Sequence, residues 1–251
     1  MLFYVLHGCP NCGGMISDER LSRGLPCENC LKEEELILEK EDLGSVAEIL
    51  RKKGNLKDLE IYAKVEKEIS YFKEIFEEVF GSSPSSLQLS WAKRFYLGES
   101  FAIVAPTGTG KTTFGLLACL VNQGKSLIIV PTKVLVNHLY ERLLAIQERI
   151  SKKDLREKII LPYTGSKKEK EILENKKVDL FICTQAFFHR NFELLKKLDF
   201  SLIFVDDVDS FLKSGKNVEH LFYMLGFTQK EIELALKRDK EEEDFEKLLK
   251  I

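Results

Sequence analysis

The sequence has no uninterrupted apolar run near the roughly eighteen residues that a membrane-crossing helix requires. Its opening apolar stretch, Met1–Leu6, is too short for a secretory signal, so the expected location is cytoplasmic, with no membrane partner. Internal repeats and long low-complexity tracts are missing too, which excludes solenoid and fibrous designs. Net charge is nearly absent, with 38 Lys+Arg against 40 Asp+Glu, and so by itself says nothing about a nucleic-acid partner. What is present is apolar: 44% of the 251 residues are hydrophobic, too much surface for a disordered chain to leave wet and enough for one large or two small domains.

The distribution of charge says more than its sum. Residues 31–80 are acidic, whereas residues 81–215 carry 20 basic against 14 acidic groups. That +6 block permits contact with an anionic partner, although clustered surface lysines would give the same count. A charged fraction of 31% with few Asn and Gln points weakly to a thermophilic source.

Four of the six cysteines fall in the first thirty residues as two C-x-x-C pairs, Cys9/Cys12 and Cys27/Cys30, fourteen residues apart. A two-residue spacer lets a tight turn aim both sulfurs of a pair at one point, and two such pairs complete a tetrahedral Zn²⁺ site. Gly13 and Gly14 follow the first pair, where the backbone must fold beneath the sulfurs. The segment is too small for a core of its own, so metal binding is expected to supply its folding energy. Two disulfides are the alternative and suit an oxidising compartment; a thioredoxin-like pair needs a βαβ context that is missing here. His7 is a further possible ligand, but four cysteines already complete the set. Cys119 and Cys183 lie in apolar runs and read as inert core residues.

Past the zinc module, Ser45 is expected to cap a short helix through Lys53. A longer helix over 57–80 should bury Ile61, Val65, Ile69, Phe72, Phe76 and Val79 on one stripe and end at Gly81. The stretch 81–86 (GSSPSS) reads as a linker or turn, followed by a short helix holding Leu87, Trp91 and Phe95. From Ser100 onward, short apolar runs alternate with amphipathic segments. Strands are expected at 101–105, 126–130, 159–163, 180–184 and 202–205, and helices at about 111–122, 133–150, 166–176, 185–196 and beyond 216. That alternation specifies an α/β fold, a parallel sheet with helices on both faces. The expected organisation is a zinc-binding module at 1–40, a helical linker at 41–84 and an α/β domain at 85–251. The last helix, about 228–251, ends in an abrupt charged stretch without a capping signal, as if cut off.

Residues 105–112, APTGTGKT, match the phosphate-binding loop G-x-x-x-x-G-K-[ST] with Ala105 in place of the first glycine. Gly108 and Gly110 let backbone N–H groups curl around phosphate oxygens at a helix N-terminus. Lys111 would reach the β- and γ-phosphates, and Thr112 would place its hydroxyl on Mg²⁺. The apolar run 202–205 ends in Asp206-Asp207-Val208-Asp209. A carboxylate at that strand end can hold Mg²⁺ through its water shell, the role of Asp206; Asp207 is placed to orient or deprotonate the attacking water, and Asp209 to couple the site to neighbouring loops. Phe80 and Gln88 flank the turn ahead of the loop. A Gln amide can bond adenine N6 and N7 together, and an aromatic ring can stack on the base; at other positions both would be ordinary core and surface residues.

With Gln88, APTGTGKT, Pro131-Thr132 followed by Leu135-Val136, residues 163–166 (YTGS), Thr184-Gln185 and DDVD in this order, the chain resembles the first RecA-like P-loop domain of a superfamily-two helicase. More narrowly, the four-cysteine module, residues 91–94 (WAKR), APTGTGKTTFG and DDVDSFLK together resemble the N-terminal part of the reverse gyrase family, over about residues 7–227. The resemblance implies a helicase-like ATPase that works with a type IA topoisomerase to introduce positive supercoils into DNA, with ATP, Mg²⁺ and Zn²⁺ as cofactors. It implies adenine binding by Phe80 and Gln88, phosphate and Mg²⁺ binding by Thr107, Gly108, Thr109, Gly110, Lys111, Thr112 and Thr113, and hydrolysis served by Asp206 and Asp207. Pro131, Thr132, Thr164, Gly165, Thr184 and Gln185 would lie on the track of single- or double-stranded DNA. Loops after successive parallel strands do gather on one edge, where a phosphodiester backbone can lie. Lys167, Lys168 and Lys170 either add screening charge or form a solvated helix face.

A complete motor of this type has a second RecA-like domain whose arginines face the γ-phosphate, and nothing after Asp209 supplies one. The topoisomerase tyrosine is absent as well. Both are expected as partners, in the same chain or as a separate subunit, and this chain alone is expected to turn ATP over slowly. Two alternatives share the motifs: another superfamily-two helicase or translocase with an added zinc ribbon, and a non-enzymatic, nucleotide-dependent DNA-binding assembly module.

Overall fold

A computed structural model describes residues 3–32, 43–163, 165–166, 169, 171–172 and 178–235. The chain divides into two compact units, Met1–Lys111 and Thr112–Ile251.

In the first unit, strands β1 (Tyr4–Val5) and β2 (Ile16–Ser17) pair antiparallel and are followed by the short helix α1 (Asp18–Ser22). Helix α2 (Leu43–Lys52) turns Val46, Ala47 and Leu50 inward. Ser45 lies inside α2 rather than capping it, because the helix already runs from Leu43. Helix α3 (Leu59–Phe80) buries Leu59, Ala63, Val65, Phe72, Ile75, Phe76 and Val79. Ile61, expected on that stripe, is 57% exposed. It shares its side of the helix with the buried Val65, Phe72 and Val79, four, eleven and eighteen residues on, so helical period alone does not set its burial. Gly81 ends α3 in the left-handed conformation (φ 68°), its N–H donating to the Glu77 carbonyl. Helix α4 (Ser86–Tyr96) follows and buries Trp91 and Ala92.

The cysteine-rich segment does not stand alone. Cys9, Cys27, Cys30, Ile16, Leu25 and Leu31 share one apolar cluster with Val46 and Leu50 of α2 and Leu59 of α3. The expectation that this segment has no core is corrected accordingly: it borrows one from the next two helices.

Residues 101–105, expected to be a strand, have no ladder partner among the described residues and no regular structure. Apolar character cannot make a strand without a neighbour to pair its N–H and C=O groups. Here Phe101 is held instead beneath the Arg94 guanidinium (4.5 Å), which is ion-paired to Glu99, and Val104 is 96% exposed.

The second unit is a parallel four-stranded sheet. It follows helix α5 (Lys111–Val121), whose first residue is the last of the first unit. Its strands are β3 (Lys125–Val130), β4 (Ile160–Pro162), β5 (Leu180–Thr184) and β6 (Phe200–Val205), in the order β4-β5-β3-β6. Ile128 of β3 lies opposite Ile182 of β5 and Phe204 of β6. Neighbouring strand residues face opposite sides of a sheet, and Leu127 and Ile128 are both fully buried, so both faces of β3 are covered. Helix α6 (Lys133–Arg149) packs on β3, β4 and β5 and is followed by the short α7 (Lys153–Arg156).

The expected helix at 185–196 is two, α8 (Gln185–Arg190) and α9 (Phe192–Lys196), broken at Asn191, which leaves the helical region and bonds the Phe187 carbonyl through its amide. Helices α10 (Val208–Leu212) and α11 (Gly215–Met224) follow β6. Phe181, Cys183, Phe188, Leu195 and Phe211 lie at the centre of the core. Cys119 and Cys183 are buried as expected, and burial raises both thiols' pKa. Residues 229–235 are helical; most of the expected helix at 166–176, and 236–251, lie outside the described residues. Among the described residues no helix is long and apolar enough to cross a membrane.

Candidate functional site

The four N-terminal thiols converge. The sulfurs of Cys9, Cys12, Cys27 and Cys30 all lie within 4.8 Å of one another, and none forms a disulfide. Tetrahedral zinc with Zn–S bonds of about 2.3 Å sets its sulfurs about 3.8 Å apart. The Cys12 and Cys27 sulfurs are 3.7 Å apart. Amide donors are aimed at three of the sulfurs: the Cys27 amide donates to Cys9 Sγ (3.2 Å), the Gly14 amide to Cys12 Sγ (3.4 Å) and the Asn11 side-chain amide to Cys30 Sγ (3.3 Å). Burial raises the Cys9 thiol, but the amides of Cys27, Asn11 and Cys12 outweigh it and bring the pKa to about 7. Burial pushes Cys30 up to about 12 and raises Cys27 as well. Such a set needs a cation among the sulfurs to hold them all ionised, and its chemistry fits a structural metal. Asn11, which sequence reasoning missed, ties this cluster to the helices: its side chain also donates to the Asn55 carbonyl and accepts from the Lys57 amide.

The phosphate-loop motif lies at the end of the first unit. Gly108 and Gly110 have φ of +83° and +85°, which a residue with a β-carbon adopts only under strain. The Lys111 ammonium bonds the carbonyls of Ala105 (2.6 Å) and Pro106 (2.8 Å), and the Thr109 hydroxyl donates to Pro106 as well. The lysine thus folds back over its own loop. Gln88 lies against the same loop: a β-carbon on Gly110 would come within 2.5 Å of its amide nitrogen. Its side chain is buried and works as a helix cap, Oε1 accepting from the Ser85 amide (2.9 Å) while Ser85 Oγ accepts from the Gln88 amide (3.2 Å). A two-pronged contact to adenine would require this amide to turn outward. Phe80 ends α3, half-buried, its ring 4.6 Å from that of Phe76.

In the second unit, Thr112 donates its hydroxyl hydrogen bond to Asp206 Oδ1 at 3.3 Å across 94 residues of chain. Asp206 follows β6, its amide bonded to the Ile129 carbonyl of β3, so the sheet itself aims the carboxylate. An all-oxygen pair of this kind suits a hard divalent cation. Asp207 is exposed and left-handed (φ 61°, ψ 65°), and its carbonyl receives the Ser210 and Phe211 amides at the start of α10. Asp209 is exposed on α10. Thr113, next along α5, accepts a hydrogen bond from Arg142 of α6 (3.2 Å), a contact that no motif indicated.

The remaining expected positions follow the C-terminal ends of the strands. Pro131 and Thr132 come after β3, Gly165 after β4, and Thr184 and Gln185 at the end of β5. Thr164 lies outside the described residues, as do Lys167, Lys168 and Lys170. Thr132 and Thr184 cap α6 and α8, their hydroxyls accepting from Leu135 (3.3 Å) and Phe187 (3.2 Å). A capping hydroxyl keeps its own proton for another acceptor. The Gln185 amide nitrogen is buried and has no hydrogen-bond partner among the described residues.

Comparison with known proteins agrees with these features. Residues 85–237 match the DEAD/DEAH box helicase family, and residues 1–44 match the reverse gyrase zinc finger. The chain is 43% identical to reverse gyrase 2 of Aquifex aeolicus over 97% of its length and 20% of that protein's. It is 40% identical to the reverse gyrase of Pyrococcus horikoshii (96% of this chain, 15% of the relative) and 39% identical to that of Methanocaldococcus jannaschii (91% and 14%). It thus spans a fifth or less of the length of these relatives. With its helicase match covering most of the parallel-sheet unit and a zinc finger of the reverse gyrase type ahead of it, the chain belongs to the DEAD/DEAH box helicase family and corresponds to the N-terminal part of reverse gyrases.

Proposed function

We propose that this chain is the ATP- and DNA-binding front part of a reverse gyrase motor, whose ATP hydrolysis drives positive supercoiling together with a second RecA-like domain and a topoisomerase part outside these 251 residues. The zinc module (1–40) and helical linker (41–84) would precede a RecA-like domain at 85–251, the first part of the linker packed on the zinc module. The observation that carries the reading is the Thr112–Asp206 hydrogen bond, which brings the residue after the loop lysine to the first acid of DDVD.

In this reading the loop amides from Thr107 to Gly110 wrap the phosphates, and Lys111 exchanges the Ala105 and Pro106 carbonyls for β- and γ-oxygens. Thr113 contacts phosphate. Thr112 and Asp206 hold Mg²⁺, which when bound neutralises charge on the phosphates. Asp207, exposed beside Asp206, orients the attacking water and accepts its proton on a carboxylate oxygen. Phe80 stacks on adenine and Gln88 reads its edge after releasing Ser85. DNA phosphates would be gripped by the hydroxyl protons that capping leaves free on Thr132 and Thr184, by Thr164, by the Gln185 amide, and by backbone near Pro131 and Gly165. These contacts carry no base information, so binding should be sequence-tolerant and salt-sensitive.

The deciding measurement is ATP hydrolysis with and without DNA, for the chain alone and joined to the remaining parts. The joined wild type should hydrolyse ATP faster with DNA, the isolated chain should be slow, and Lys111→Ala should abolish turnover in both. Nucleotide binding without detectable hydrolysis in the joined assembly would replace the motor with a nucleotide-dependent assembly module.

A further inference from the structure

Arg142 belongs to none of the motifs, yet it reaches from the third turn of α6 to the hydroxyl of Thr113. Arginine has donors only, so the direction of this bond is fixed: the guanidinium donates and Thr113 Oγ1 accepts. The hydroxyl's single proton is then turned away from Arg142 and must find another acceptor. Thr113 sits beside Thr112, whose own hydroxyl is engaged with Asp206.

Helix α6 is a stiff connection between this point and the strand-end loops. Val136, Leu139, Leu143 and Ile146 are buried at three- to four-residue spacing, and the helix packs on β3, β4 and β5. Its N-terminus is capped by Thr132, and the Lys133 ammonium comes within 3.2 Å of where a Gly165 β-carbon would stand. Two of the strand-end loops therefore meet at its first turn. From Thr132 to Arg142 the helix rises about 15 Å, and a packed rod of that length moves as one piece.

We propose that Arg142 is a positioning residue that links nucleotide affinity to DNA affinity, by fixing the Thr113 hydroxyl from the same helix that presents Thr132 and Lys133 to DNA. The inference rests on the nucleotide- and DNA-binding reading above. A phosphodiester seated on the first turn of α6 sets the helix, the helix sets the guanidinium, and the guanidinium leaves the Thr113 proton directed to phosphate. Linkage requires the effect to run both ways, with bound nucleotide tightening DNA by the same factor.

The test is the affinity of the chain for a non-hydrolysable ATP analogue, measured with and without a single-stranded oligonucleotide at fixed salt. Wild type should bind the analogue about tenfold more tightly with DNA, within the usual range of such couplings. Arg142→Met should bring that ratio to about one, and Thr113→Val should do the same while Thr113→Ser keeps it. The double variant Arg142→Met/Thr113→Val should lose no more than either single change, as a shared contact demands. An unchanged ratio in Arg142→Met, a ratio of one in wild type, or losses that multiply in the double variant would each overturn the proposal. If Arg142→Met melts early, Thr113→Val decides alone, and an unchanged ratio there overturns it. Lys111→Ala separates the two readings: undiminished analogue binding in that variant topples the nucleotide assignment itself, whereas an unchanged ratio in Arg142→Met, with binding still sensitive to Lys111, topples only the link.

Discussion

Cysteine occurs in both units of this chain and does opposite things in them. Cys119 and Cys183 lie in apolar runs, fully buried, their protons held on by desolvation. Cys9, Cys12, Cys27 and Cys30 are gathered sulfur to sulfur, with amides of the backbone and of Asn11 aimed at them. Cys183 fills space in a sheet core that Leu127, Phe181 and Phe188 would sustain anyway, and Cys119 is buried on α5. The second set sits inside a small cluster whose apolar members (Ile16, Leu25, Leu31, Val46, Leu50, Leu59) converge on the thiols. The sheet unit holds its cysteines as packing residues, whereas the cysteine-rich segment gathers its four into a set that fits a metal. What separates them is the hydrogen-bonding environment of the sulfur, not the residue type.

Three experiments break or sharpen that contrast, in order of expected effect. Metal removal, or Cys9→Ser, should be the most damaging, because structural zinc contributes about 10–16 kcal/mol to modules of this kind. Since α2 and the start of α3 share the cluster, hydrogen-exchange protection should vanish from residues 3–32 and from α2, and survive in β3–β6. Zinc should be near-stoichiometric by elemental analysis; a metal-free protein with a protected N-terminus would erase the distinction. A complementary blow to the sheet unit is Gly115→Ala, whose new β-carbon would strike the Phe204 ring. Overpacking of this sort costs about 1–3 kcal/mol, to be read from urea unfolding of the second unit with zinc content unchanged.

The smallest effect concerns pH. His220 of α11 stacks on Phe192 (4.1 Å) and His189 (5.2 Å), and burial first, then His189 and Lys216, lowers its pKa against the opposing pull of Glu219 and Glu193. The unfolded chain therefore takes up this proton before the folded one does. The contribution is complete above the unfolded value, about 6.5, and is lost as pH falls below it towards the lower folded value. His220→Phe should flatten that slope in the sheet unit, and an unaltered slope would move its origin elsewhere.

Local patterns carried much of this molecule. The runs at 126–130, 180–184 and 202–205 are strands because β-branched and aromatic residues bounded by turns have few other low-energy conformations, and the C-x-x-C spacing predicted the thiol cluster. Patterns failed where a neighbour decided. Residues 101–105 have a strand's composition but no ladder partner among the described residues, and Phe101 went to Arg94. The capping bond that Gln88 makes to Ser85 three residues away was likewise not read from any motif. Ile61 lies on the side of α3 that buries Val65, Phe72 and Val79 and is still exposed, because burial needs a packing neighbour as well as a face.

Sequence alone determined the cysteine spacing, the glycine-bearing loop before a helix, the acids after an apolar run and the alternation that makes a parallel sheet, because each depends on residues close together in the chain. Only tertiary structure decided that Thr112 meets Asp206, that Arg142 meets Thr113 and that the thiols share a core with α2 and α3. Those contacts depend on strand order and helix packing, which bring together residues 94, 29 and tens of positions apart, and no local period records which distant partner will be there.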